Sequence, residues 1–112
     1  MRIYIGSTTA EGCEVKVKNI QHGRWRFTAL KPRLDVVNHS PAGFAWGYGG
    51  SGPAQLALAL LLDAGLRPRQ AEALHQQFKW DVIIHLNQDL GWEMTDRDVL
   101  LWVESQPRED AA

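Results

Sequence analysis

The chain has 112 residues, of which 45% are hydrophobic and 22% are charged, and its formal net charge is −1. This composition is typical of one globular domain, and a net charge near zero excludes a general attraction to nucleic acids or membranes. The charge is uneven, however, because residues 1–33 carry a net charge of +5 and residues 34–112 carry −6. Cys13 is the only cysteine, so we expect no intrachain disulfide and a cytoplasmic location.

The N-terminal third predicts an antiparallel meander. Residues 2–5, 14–18 and 25–30 show the alternation of apolar and polar side chains that is typical of strands. The third segment is predicted to pair with the second across a polar turn at residues 21–23. Residues 33–37 are predicted to form a further short strand.

The remainder of the chain predicts three helices. The first covers residues 53–64, which are almost wholly apolar; Pro53 suits the first helical position and Gly65 suits the stop. The second begins at residue 68 and ends near residue 77. Residues 78–86 fit either a strand or a continuing helix, and their β-branched and aromatic content favours the strand. The last helix covers residues 95–104, where Thr95 and Asp98 resemble a capping box.

These elements predict a small α+β fold. An N-terminal antiparallel sheet is expected to pack on a buried central helix, and two further helices are expected to complete the domain. The domain is predicted to cover residues 1–105, followed by a frayed C-terminal tail at residues 106–112.

The basic hairpin is the first candidate site. Four cations alternate with apolar residues along its two strands, so they are predicted to line one exposed face that contacts phosphates or an acidic protein; they are Lys16, Lys18, Arg24 and Arg26. The same parity places Trp25 and Phe27 towards the core. The alternative is a solvated sheet face without a partner.

The glycine-rich loop before the first predicted helix is the second candidate site. Gly47, Gly49 and Gly52 match the G-x-G-x-x-G string of dinucleotide-binding proteins, although no Lys or Arg occurs in residues 34–66. The candidate anion-binding residues are Gly49, Gly50, Ser51, Gly52, Gln55 and His39. The alternative is that the glycines only allow the loop to approach the core.

Trp46 and Tyr48 flank these glycines and are predicted contacts with a protein or nucleic acid. The alternative for Trp46 is a place in the core.

Ser51 and His39 form no recognisable catalytic triad, since no orienting acid can be identified. The four histidines have no metal-ligand spacing. We therefore predict no catalytic residue, no metal ligand and no cofactor, and a binding protein rather than an enzyme.

One block of sequence resembles a known family. Asn38-His39-Ser40-Pro41, Gly43-Phe44 and the segment from Trp46 to Ala59 are similar to the signature of a small family of unknown function from bacteria, their phages and other mobile elements. The likeness covers about residues 33–103. It implies a cytosolic accessory protein of a mobile element and carries no known activity.

The sequence thus predicts a non-catalytic macromolecule-binding accessory protein that modulates or inhibits host machinery. We expect a protein partner, and the alternative is a nucleic acid bound through the basic hairpin. No membrane partner is expected, and the sequence allows a homo-oligomer. The alternative function is a nucleotide- or anion-binding protein, enzymatic or not, that uses the glycine-rich loop. A binding module should have this loop capped by Trp46 and Tyr48, whereas a nucleotide protein should have an open pocket with a basic side chain such as Arg33 or Arg67.

Overall fold

The computed structural model describes residues 1–107, which form a four-stranded antiparallel sheet and three α-helices. The elements, in chain order, are β1 (Arg2–Thr9), β2 (Gly12–Gln21), β3 (Arg24–Ala29), α1 (Ser51–Asp63), α2 (Pro68–Asp81), a short 3₁₀ helix (Ile83–His85), β4 (Trp92–Thr95) and α3 (Asp96–Glu104). The predicted fold class is confirmed: the sheet packs on a buried central helix, and two further helices complete the α+β architecture. The predicted frayed tail lies outside the described residues from residue 108 onward.

The strand order in the sheet is β3-β2-β1-β4. The loop between β2 and β3 consists of His22 and Gly23, which both have positive φ (51° and 74°), as a two-residue hairpin turn requires. This turn sets the register, so that Lys18 lies directly opposite Phe27. Directly opposed residues point to the same face of a sheet, so Lys18 and Phe27 lie on one face.

Helix α1 forms the centre of the core. Every residue from Gly52 to Leu62 is buried, because α1 packs against α2 and α3 and shares one hydrophobic cluster with the inner face of the sheet. The inner face contributes Tyr4, Val15, Val17 and Met94 to that cluster. The predicted central helix is thus confirmed, and it begins two residues earlier than expected.

An ion pair joins the end of α1 to the first strand. Asp63 accepts two hydrogen bonds from the Arg2 guanidinium, from Nε at 2.7 Å and from Nη2 at 2.9 Å, and a third from the Tyr4 hydroxyl at 2.7 Å. Burial, together with the Asp63 carboxylate, raises the pKa of Tyr4 far above its ordinary value, so this hydroxyl remains a donor. The three bonds fix the sheet against the C-terminal end of α1.

Residues 33–37 do not form the predicted strand. Arg33 has a φ of 59°, and Val36 donates its backbone N–H to the Arg33 carbonyl at 3.1 Å, which makes a turn. One edge of β3 is unpaired, but residues 33–37 do not add to the sheet there. Side-chain hydrogen bonds from α1 hold this segment instead, as described below.

The prediction of a strand at residues 78–86 is also wrong. Helix α2 continues to Asp81 and the 3₁₀ helix follows. In a strand Phe78 and Trp80 would share one face, but Phe78 is buried and packs edge-on against Trp102, with ring centroids 4.8 Å apart, while Trp80 is 52% exposed. The strand that completes the sheet is β4, which pairs with β1 and was not predicted. The predicted capping box is confirmed, since Asp98 N–H donates to Thr95 Oγ1 at 3.0 Å and Thr95 N–H donates to Asp98 Oδ2 at 2.9 Å.

Candidate functional site

One face of the sheet points away from α1, and we call it the outer face. Its side chains come from alternate positions of β1, β2 and β3, and those that form its centre are Ile3, Ile5, Lys16, Lys18, Ile20, Trp25 and Phe27. Two large aromatic side chains stand open to solvent here, since Trp25 is 56% exposed and Phe27 is 49% exposed. An exposed apolar cluster of this kind on a folded domain is typical of an interaction surface.

The observed register corrects the predicted arrangement of the basic hairpin. Lys18 lies opposite Phe27, whereas Arg26 lies opposite Asn19, so the lysines and the arginines occupy different faces. Trp25 and Phe27 share the outer face with the lysines and do not enter the core. The physical reason is the register set by the two-residue turn at His22 and Gly23, which pairs Phe27 with Lys18. Because β3 is an edge strand whose six residues are all exposed, its opposite face is not covered by the core either.

The aromatic and basic groups of the outer face contact one another. The rings of Trp25 and Phe27 meet edge-on, with centroids 5.1 Å apart and planes inclined at 71°. Lys18 Nζ lies 4.8 Å from the centroid of the Trp25 ring, and Lys16 Nζ lies 3.7 Å from Glu14 Oε1. The Trp25 ring thus contacts both Phe27 and Lys18. Arg24 and Arg26 lie exposed on the opposite face of the hairpin.

The glycine-rich loop has a different character, because Gln55 of α1 holds the chain that leads into it. The Gln55 side chain is fully buried; its Oε1 accepts from the backbone N–H of His39 at 2.8 Å and of Ser40 at 3.2 Å. Its Nε2 donates to the carbonyls of Pro32 at 2.6 Å and Val37 at 3.0 Å. Both hydrogens of the amide are used in these bonds, so Gln55 fixes the loop and has no further donor to offer.

A pair of histidines connects this loop to α2. His39 Nε2 and His75 Nε2 are 2.9 Å apart, and His75 Nδ1 lies 2.6 Å from the Glu72 carbonyl. A carbonyl only accepts, so His75 Nδ1 carries a proton, and in the neutral pair His39 Nε2 donates to His75 Nε2. No group of three His, Cys, Asp or Glu that could hold a metal occurs in residues 1–107.

Lys79 is the basic side chain at the glycine-rich loop, whereas Arg33 pairs with Asp35 at 3.0 Å. Lys79 is only 7% exposed; its Nζ donates to the Gly49 carbonyl at 3.3 Å and lies 4.4 Å from the centroid of the Trp80 ring. Burial, with His75 and Lys79 nearby, lowers the pKa of His39. The cluster of His39, His75 and Lys79 was not predicted, because the second helix was expected to end near residue 77. On the longer α2, His75 and Lys79 are four residues apart and lie on the same side.

Aromatic side chains cover the glycines themselves. A Cβ atom at Gly49 would lie 2.6 Å from the Trp80 ring, and one at Gly50 would lie 2.5 Å from the Tyr48 ring. Tyr48 is 50% exposed, whereas Trp46 is 1% exposed and donates its Nε1–H to the Asn87 carbonyl at 2.8 Å. The structure thus places Trp46 in the core, the alternative considered for it above, and leaves Tyr48 at the surface.

The remaining candidate anion-binding residues lie at the start of α1. Gly50 is the residue before the helix, Ser51 is exposed, and Gly52 is buried with Ala45 so close that a Cβ atom there would meet the Ala45 Cβ at 2.8 Å. The glycines therefore have a steric purpose in this loop, which is to let the chain approach its own aromatic and small side chains.

Comparisons with known proteins identify one relationship. The model of a family of unknown function (DUF6166) matches residues 4–105. No curated protein and no solved structure matches the chain. Within residues 1–107, no helix is both long enough and apolar enough to cross a membrane.

Proposed function

The chain belongs to the family of unknown function DUF6166, and we propose that it acts as a non-catalytic macromolecule-binding module whose contact surface is the outer face. One observation carries this proposal: Trp25 and Phe27 are half exposed, contact each other, and lie beside Lys16 and Lys18 on an open sheet face. Aromatic side chains such as Trp and Phe are enriched among the central residues of interfaces.

The size of the aromatic pair indicates how much of the binding energy it supplies. Fully buried Trp and Phe side chains each remove 150–250 Å² from water, so covering the exposed halves removes about 200 Å² in total. At about 25 cal/mol per Å², this burial contributes about 5 kcal/mol. Association costs about 4–15 kcal/mol in lost freedom of motion, so the aromatic pair alone leaves a net binding free energy of at most about 1 kcal/mol. The pair is therefore insufficient alone, and the neighbouring lysines and isoleucines must contribute to a stable complex.

The glycine-rich loop supports the same choice over a nucleotide-binding protein. The Gln55 amide is saturated by the backbone, His39 is bonded to His75, and the rings of Tyr48 and Trp80 lie over Gly50 and Gly49. This resembles the capped loop expected of a binding module, except that Trp80 takes the covering position expected of Trp46. The buried Lys79 beside Gly49 matches the alternative instead.

We propose an accessory role in a phage or other mobile element as the biological setting, in which the module modulates or inhibits host machinery. The resemblance of the block from Asn38 to Ala59 supports this setting. Gene neighbourhoods of family members test it: neighbours drawn from chromosomal metabolic operons would contradict it.

Site-specific cross-linking tests the binding role itself. Benzoyl-phenylalanine incorporated at position 27 should form macromolecular adducts in cell lysate, while the same group at position 101 should not. Leu101 is a suitable control because it is 50% exposed, like Phe27, but lies on α3. Adducts at both positions alike, or at neither, would contradict the proposal.

A further inference from the structure

On the basis of the binding role proposed above, we infer that the occupant of the outer face is a single-stranded nucleic acid. The sequence alone argued against base stacking because strand parity placed Trp25 and Phe27 in the core. The structure removes that objection, since both rings are about half exposed on the outer face.

Unpaired bases need flat apolar partners, and the outer face offers two exposed rings, whose centroids lie 5.1 Å apart with planes inclined at 71°. Trp25 and Phe27 occupy alternate positions of β3, which places their backbone attachments about 6.6 Å apart along the strand. Exposed aromatics on an antiparallel sheet are a recurrent platform for stacking successive bases of a single strand. A duplex conceals the faces of its bases, so this surface selects unpaired strands.

The cations of the hairpin complement a polyanion. Lys18 lies opposite Phe27 with its Nζ over the Trp25 ring, and Lys16 follows two positions away on the same face. Arg24 and Arg26 extend from the same edge strand on its other face, where a backbone that passes over the edge can reach them. Guanidinium and ammonium groups beside stacked bases are the usual partners of the phosphates.

Acidic groups limit where the strand can lie. Glu93 opposes Ile5 on the β4 side of the outer face, and Glu14 lies beside Lys16. The chain beyond residue 33 has a net charge of −6. Phosphates are therefore expected over the β2–β3 hairpin and not over β4 or the helices. Because the positive charge is concentrated at this hairpin, a chain with a net charge of −1 can still bind a polyanion there.

Fluorescence anisotropy of labelled ten-nucleotide strands at about 50 mM salt tests the inference. The probes are oligouridylate, oligothymidylate, a duplex of the same length and an abasic strand that has the same phosphates without bases. We expect oligouridylate, oligothymidylate or both to bind, with the duplex and the abasic strand about tenfold weaker or more. The relative affinities of the first two identify RNA or DNA as the source of the strand.

Phe27→Leu separates stacking from simple apolar contact, because leucine keeps much of the apolar area but has no ring. Phe27→Leu and Trp25→Ala should each weaken binding of base-containing strands by about 5- to 100-fold and leave the abasic strand unaffected. Lys18→Glu should reduce the salt slope of log K by about 0.7 or more. The controls Leu101→Ala and Arg69→Glu, at exposed positions on α3 and α2, should have no effect. If Trp25→Ala fails to fold in a thermal melt, Phe27→Leu alone decides the test.

Single strands that do not bind, duplex that binds equally well, or a Phe27→Leu variant that binds as the parent chain does would overturn the inference. The cross-linking experiment then separates the two proposals. Adducts at position 27 that are unchanged by nuclease, and whose partner mass spectrometry identifies as a protein, would overturn the nucleic-acid inference and leave the binding role standing with a protein partner. An absence of both oligonucleotide binding and adducts would overturn both.

Discussion

Replacing Gln55 by alanine should strongly destabilise the fold, because one side chain supports four backbone groups of residues 32–40 through hydrogen bonds of 2.6–3.2 Å. Each such bond contributes about 1 kcal/mol net, and a donor or acceptor left buried without a partner costs up to about 3 kcal/mol. His39 is only partly buried, so water can replace some of the lost bonds there. We therefore expect a loss of about 4 kcal/mol, which is a large part of the 5–15 kcal/mol typical of domains.

Urea denaturation followed by circular dichroism measures this loss as a shift in midpoint at constant slope. Gln55→Leu is the informative companion, since leucine fills most of the volume but forms no hydrogen bond, and it should be nearly as destabilising as alanine. Gln76→Ala, on the exposed side of α2, is the matched control and should change stability by less than about 0.5 kcal/mol. A Gln55→Leu variant within about 1 kcal/mol of the parent chain would refute the reasoning.

Three further outcomes are expected. The free energy of unfolding should fall as the pH drops below about 6.5, because the pKa of His39 is lower in the folded chain than in the unfolded chain, which therefore binds the proton first. In thermal melts across this pH range, His39→Gln should lose less stability than the parent chain. An equal loss of stability in the variant would contradict the assignment. Arg2→Met should cost about 1–2 kcal/mol in urea unfolding, since it removes two charge-assisted bonds to a partly exposed Asp63; a cost near zero would show that the pair does not anchor α1. Gly52→Ala should cost about 1–3 kcal/mol in the same assay, because its Cβ would overlap Ala45, and a neutral result would contradict the steric account of this loop.

The sequence contains enough information to predict which residues of β2 and β3 share the outer face. Strand parity correctly placed Val15 and Val17 in the core. It failed for Trp25 and Phe27 because parity relates residues within one strand and says nothing about the register between strands. A two-residue turn at His22 and Gly23 would have paired residue 18 with residue 27 and shown that Lys18 and Phe27 share a face. That β3 lies beyond the cover of the helices depends on tertiary packing, which local pattern does not contain.

The inner site was less accessible to sequence reasoning. Gln55 is the only polar residue among the apolar positions 53–62, which indicates a buried hydrogen-bonding role, but its four partners come from a segment up to 23 residues away with no regular structure. The contact between His39 and His75 depends on how α2 packs on α1. The alternation at residues 78–86 fits both periods, and the burial of Phe78 and Ile83 against the core determined the helical outcome.

The indole N–H signals of the five tryptophans offer the most direct test of the central claim, that the outer face is the binding surface. In a ¹⁵N-labelled sample titrated with the single-stranded oligonucleotide, the Trp25 signal, assigned by its loss in Trp25→Phe, should move. The signals of Trp46, whose Nε1–H bonds to Asn87, and of the partly buried Trp92 should stay in place. A titration in which Trp46 or Trp80 moves while Trp25 does not would locate binding at the glycine-rich loop and contradict the account.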